Sequence, residues 1–157
     1  MRAARGTLGP MDQRLTLLTV GVRDVAAARR FYVDGLGWTP TFDLPEQSVL
    51  FLQVAPGLLL SFFDAGLLAQ DMDLPPDAVP TAQGIALAHN VASEAEVDAV
   101  ITQAVAAGAT LLKAPWRAEW GGYSGYVEDP CGVRWEIAHN PGLTVDADGT
   151  VRMVPIE

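Results

Sequence analysis

Few residues in this chain could do chemistry. There are two histidines, His89 and His139, one cysteine, Cys131, and a run of aromatics and glycines from Trp116 to Tyr126. Cys131 sits in Asp129-Pro130-Cys131-Gly132, with Pro second and Gly fourth, which is turn chemistry rather than a nucleophile's setting. His89 reads first as a hydrogen-bonded structural histidine and second as a ligand or acid–base group. His139 reads as structural or surface. In Trp116-Arg117-Ala118-Glu119-Trp120-Gly121-Gly122-Tyr123-Ser124-Gly125-Tyr126, glycines beside aromatics permit close backbone approach and leave ring faces free. An aromatic cleft for a flat or cationic ligand would look like this, with Trp120, Tyr123 and Tyr126 as its binding residues. The competing reading is a hairpin turn or strand kink flanked by core aromatics.

Size and composition bound what can position these groups. The 157 residues allow one domain or two merged half-domains, and 50% hydrophobic against 18% charged residues is a globular balance. A net charge of −9 argues against a nucleic-acid surface. No apolar run is long enough to span a bilayer, and the basic start lacks the apolar stretch of a secretory signal. A lone cysteine excludes an internal disulfide framework, so a cytoplasmic location is expected. Met11 offers an alternative start, with the residues before it a disordered extension.

The elements read as follows. Residues 15–22 are rich in aliphatic and β-branched side chains and predict a strand. Asp24 can cap a helix running to about Asp34, with Val25, Ala28, Phe31 and Tyr32 on one face and Gly35 and Gly37 at its end. Strands are predicted at 38–42, 48–54 and 58–63. Residues 65–84, with Asp71, Asp73, Asp77, Pro75, Pro76 and Pro80, read as an acidic connector. The pattern then restarts: a strand at 85–91, a capping box at Ser93–Glu96, and an amphipathic helix ended by Gly108. Strands at 110–114, 123–128 and 133–139 follow. The fold class is therefore α+β, two β-α-β-β-β modules at 15–64 and 85–140, after an extension at 1–14. Residues 141–157 predict a terminal hairpin around Asp146-Ala147-Asp148-Gly149.

Two motifs give this repeat a resemblance. Val22-Arg23-Asp24 followed by Phe31-Tyr32 and Gly35-Leu36-Gly37, with Tyr126-Val127-Glu128-Asp129-Pro130-Cys131-Gly132 and Trp135-Glu136, resembles the glyoxalase/bleomycin resistance protein/dioxygenase (vicinal oxygen chelate) superfamily over roughly residues 15–140. The resemblance implies an open barrel around a cavity, often in a homodimer, and divalent-metal ligands on the first and last strands of the modules. Those positions fall on Leu17, Ser61, Ala86 (or Gly84) and Glu136, of which only Glu136 matches a ligand. One carboxylate cannot replace three or four donors. No cofactor is expected, although a weakly bound divalent metal stays compatible with Glu136.

The expected function is a metal-free protein that encloses a small apolar or aromatic molecule. The alternative is a divergent lyase, isomerase or dioxygenase using Glu136 as base or weak metal ligand, with His89 assisting. A dimeric module whose cavity is filled by side chains is a third class. The resemblance places Glu136 beside Gly21, Ser61 and Ala86, with Trp120 and Tyr123 on the adjoining strand or at its entrance, so Ser61 joins Trp120, Tyr123 and Tyr126 as an expected ligand-binding residue. Arg134, Arg117, a hydroxyl, water or a cationic ligand would serve as the carboxylate's partner.

Overall fold

The structure is a computed structural model, and it describes residues 15–71, 73–75, 77–78, 85–119 and 121–154. The reading of residues 1–14 as an extension lies outside them.

The first module comprises β1 (Leu17–Val22), α1 (Val25–Arg29), β2 (Pro40–Leu44), β3 (Val49–Ala55) and β4 (Leu58–Asp64). Asp24 caps α1 as expected, accepting from the Ala27 N–H at 3.1 Å. The helix then widens into a π-helical turn over Arg30–Gly35, closed by the Leu36 N–H on the Phe31 carbonyl. The first strand lies parallel to the last, in the order β1-β4-β3-β2, a pairing that needs a long crossover, here supplied by α1 with β2 and β3. The second module repeats this with β5 (Ala86–Asn90), α3 (Glu94–Ala106), β6 (Thr110–Arg117), β7 (Tyr123–Glu128) and β8 (Arg134–His139), in the order β5-β8-β7-β6. A short hairpin, β9 (Leu143–Val145) and β10 (Val151–Met153), ends the described chain, with Gly149 at φ +86°.

The capping box at α3 is real: Ser93 Oγ accepts from the Glu96 N–H, and Glu96 Oε2 accepts from the Ala92 N–H. Ser93→Ala should lower stability by about 1 kcal/mol, measurable by urea denaturation. The segment predicted as a connector opens differently. Residues Ala65–Asp71 form α2, whose first turn is tied by the Leu67 N–H to Asp64 Oδ1 at 2.9 Å.

The two sheets do not close into a barrel. Helix-facing side chains of both enter one hydrophobic cluster: Leu60, Phe62 and Tyr32 from the first module, with Val97, Ile101, Val127 and Ile137 from the second. Tyr32 joins the halves, stacked on Phe62 at 4.6 Å between ring centres and lying 6.3 Å from Trp135. The Tyr32 hydroxyl donates to buried Asp129 at 2.6 Å and accepts from the Trp135 indole N–H at 2.9 Å. Adjacent strand residues point to opposite sides. The faces bearing Ser61 and Glu136 therefore point away from this shared core.

Candidate functional site

On the outer face of the first sheet, register places Thr19 and Phe51 on either side of Ser61 and Val49 beside Phe63. Ser61 is 1% exposed, and its hydroxyl donates to Thr19 Oγ1 at 3.0 Å. Its neighbour is thus Thr19, a residue the sequence reading passed over in favour of Leu17, which pairs with Leu59. Above these hydroxyls lies a cavity of about 750 Å³ walled by Val49, Phe51 and Phe63 and roofed by Leu67 and Leu68 of α2. The roof sits low because Gly21 has no side chain: a Cβ there would stand 3.2 Å from Leu68 Cδ2. Gln47, Gln70 and Asp71 supply polar groups around the apolar walls.

The second sheet carries its own outer face. Glu136 pairs with Ala88 on one side and Tyr126 on the other. Burial first, then the Glu136 charge and side-chain hydrogen bonding, push the Tyr126 phenol above its ordinary value of 10.0. Trp116 stacks on Tyr126, with ring centres 6.1 Å apart and planes at 21°. The Lys113 ammonium lies 3.1 Å from the Trp116 ring centre. Lys113 and Trp116 are an odd number of residues apart and would face opposite ways on a regular strand. A bulge corrects this: Lys113 pairs with Tyr126 and Trp116 with Ser124, so two residues, Ala114 and Pro115, stand opposite Gly125. Pro115 is tolerated because β6 is an edge strand and lacks a ladder partner on its other side.

Several expectations change here. Glu136 does not sit beside Gly21 and Ser61, which belong to the first sheet; its cross-strand neighbours are Ala88 and Tyr126, with Ala86 one step along the same face. Tyr123 faces α3, where its hydroxyl donates to Asp98 at 2.9 Å, so it is not on the Glu136 face. Of the partners considered for Glu136, Arg134 is taken by Glu128 at 3.0 Å and Arg117 by Glu94 at 2.7 Å, and the hydroxyl-bearing side chain beside it across the strand is Tyr126. Trp120 lies outside the described residues. His89 is exposed and on the helix-facing side of β5, paired with Ile137 rather than with Glu136. His139 lies with Nδ1 3.2 Å from the Val91 carbonyl, a structural contact. Burial, then the charges of Asp129 and Asp24, push the Cys131 thiol up to about 12, so it is no nucleophile near neutrality.

A metal does not fit these donors. Among the described residues no three His, Cys, Asp or Glu side chains converge. Ser61 already donates to Thr19, and Leu17 and Ala86 have no donor at all.

This fold of paired β-α-β-β-β modules defines the class. The model of the Glyoxalase/Bleomycin resistance protein/Dioxygenase superfamily matches residues 14–137, and the chain belongs to that superfamily. It is similar to a glyoxalase-related enzyme from Fulvimarina pelagi, with 38% identity and a TM-score of 0.80, covering 90% of this chain and 99% of that one. A glyoxalase/bleomycin resistance protein/dioxygenase from Nocardioides is 25% identical, with a TM-score of 0.68 and coverage of 84% and 86%. Lactoylglutathione lyase from Agrobacterium tumefaciens is also 25% identical, with a TM-score of 0.63 and coverage of 84% and 96%. No curated protein matches the chain. No helix among the described residues is long and apolar enough to cross a membrane.

Proposed function

We propose that this chain is a metal-independent member of its superfamily that binds a small apolar or aromatic molecule on the outer faces of its sheets. The carrying observation is the first sheet's cavity. Where the family's metal ligand would stand, Ser61 is spent on Thr19, and the space of about 750 Å³ above it is walled by Val49, Phe51 and Phe63. That volume and mix of apolar walls with few polar groups suit a small ligand. Native mass spectrometry of freshly purified protein tests the reading. The expected spectrum holds no stoichiometric metal, and chelation with EDTA leaves the melting temperature unchanged. One zinc, iron, nickel or manganese ion per chain, lost in Glu136→Gln, would overturn it.

A cytoplasmic homodimer completes this proposal. Each outer face is open in a single chain, and the second module of one copy could cover the first module of another, enclosing Ser61 and Glu136 together. Light scattering at micromolar concentration should give twice the 16.7 kDa chain mass. A monomeric mass sinks this part.

A second reading, a lyase- or isomerase-type enzyme with Glu136 as base, is supported by the placement of that carboxylate beside Tyr126 and by the likeness to a glyoxalase-related enzyme. Turnover abolished in Glu136→Gln with binding retained would favour it over simple sequestration.

A further inference from the structure

A second cavity, of about 880 Å³, opens between the modules. Leu18, Leu60 and Trp38 line it from the first module, and Leu87, Trp135 and His89 from the second. Leu18, Leu60 and Trp135 are the immediate chain neighbours of Thr19, Ser61 and Glu136, and neighbours on a strand point to opposite sides. These side chains place most of the space on the reverse of both sheets from Ser61 and Glu136, while Leu59 and Ala88, which share the parity of those two residues, border its margin.

Its lining is chemically distinctive. Among the described residues no Asp, Glu, Lys or Arg lines it, in a chain whose net charge is −9, and His89 is the one titratable side chain of that lining. Trp38 and Trp135 meet edge to face, with ring centres 6.0 Å apart and planes at 86°. The Trp135 N–H is already given to Tyr32, so that indole offers the cavity carbon surface only. The space is half open to solvent, and its size is that of small-molecule sites. A charged guest would leave water without meeting a counter-charge, at large cost.

We propose that the inter-module cavity is a second binding site, for an uncharged aromatic or alicyclic molecule that stacks on Trp38 and Trp135 and directs one hydrogen-bonding group to His89. The site is independent of the outer-face reading and of any metal.

The test uses the full chain and N-phenyl-1-naphthylamine, an uncharged dye that brightens in apolar surroundings and accepts excitation from nearby indoles. Saturable binding of one dye per chain is expected, with energy transfer lost in Trp38→Phe/Trp135→Phe. Leu87→Trp fills the cavity from its half-buried wall and should weaken binding at least about tenfold. Thr41→Trp, at the exposed mouth, does the same without disturbing the core. Gln70→Trp, which obstructs only the outer-face cavity, should leave the affinity within about twofold. His89→Ala should weaken it by roughly threefold, and no change there overturns the polar contact. Dye lost in Gln70→Trp but kept in Leu87→Trp and Thr41→Trp assigns binding to the outer face and overturns the proposal. So does an absence of saturable binding, or an affinity that falls as protein concentration rises, since a second copy would then be the occupant.

Discussion

Asp129→Ala should lower the free energy of unfolding by about 3–5 kcal/mol, because a buried charged acceptor is removed and its donors are stranded. Three donors converge on this side chain, which is 4% exposed: the Tyr32 hydroxyl at 2.6 Å on one oxygen, and the Cys131 and Val133 N–H groups, each at 2.8 Å, on the other. The first bond joins the modules; the other two hold the Asp129-Pro130-Cys131-Gly132 turn, with Gly132 at φ +84°. In a domain of this size the loss corresponds to a melting temperature lower by about 10 °C. Asp129→Asn keeps an acceptor for the backbone and an amide beside Tyr32, so it should cost only about 1–2 kcal/mol. Equal losses in both variants, by urea titration, would show that the charge itself, and not the set of hydrogen bonds, holds the turn.

The same carboxylate has a pH signature. Burial, the largest influence, raises it above its ordinary 3.8, and the hydrogen bonds from Tyr32, Val133 and Cys131 draw it part of the way back. A carboxyl raised in the folded state binds protons more tightly there than in the unfolded chain. Its contribution is therefore fully present below 3.8 and is lost as pH rises through the folded-state value. The stability difference between the wild-type chain and Asp129→Asn should shift in favour of the wild type on acidification. A difference flat with pH would contradict the burial argument.

Much of this architecture was legible from local signals. The repeat declared itself because each module has its own capping residue, Asp24 or Ser93, and its own helix-ending glycine. The turn around Gly132 and the hairpin around Gly149 were set by residues that few other conformations suit. What misled were choices settled by partners distant in sequence. Helix α2 was hidden because Asp71, Asp73 and the prolines after it dominate the composition; the Asp64 cap and the Leu67-Leu68 pair were its only signals. Strand parity put Tyr123 and Tyr126 on opposite sides, and only the contact of Tyr123 with Asp98 on α3 decides which side is which. Leu17 and Thr19 share a face, so alternation could not choose between them as the neighbour of Ser61; parallel register does. The barrel expected from the resemblance is absent from one chain because Tyr32, Asp129 and Trp135 bind the modules through their helix-facing sides. No pattern within either module reports that.

Gly125→Ala should destabilise the protein by about 3 kcal/mol and disorder the aromatic face at Glu136. The reason is space. A Cβ on Gly125 would lie 2.6 Å from Ile101 Cδ1, 3.0 Å from the Lys113 carbonyl oxygen and 3.1 Å from the Pro115 nitrogen. The isoleucine tip can turn aside, but the other two atoms belong to the backbone of β6, at the bulge that brings Lys113 and Trp116 onto one face. Relieving that contact means moving the bulge, and Trp116 then leaves Tyr126. Gly132→Ala is the informative comparison, because nothing stands within 4 Å of a Cβ there and only its positive φ resists the change. That variant should cost about 1–2 kcal/mol and leave the aromatic signals intact. Urea titration gives the energies, and near-ultraviolet circular dichroism reports the Trp116–Tyr126 stack. Adding Ile101→Val to Gly125→Ala should recover only a minor part of the loss, since the backbone contacts remain. Full recovery in the double variant would mean that α3, and not the β6 bulge, requires glycine at this position.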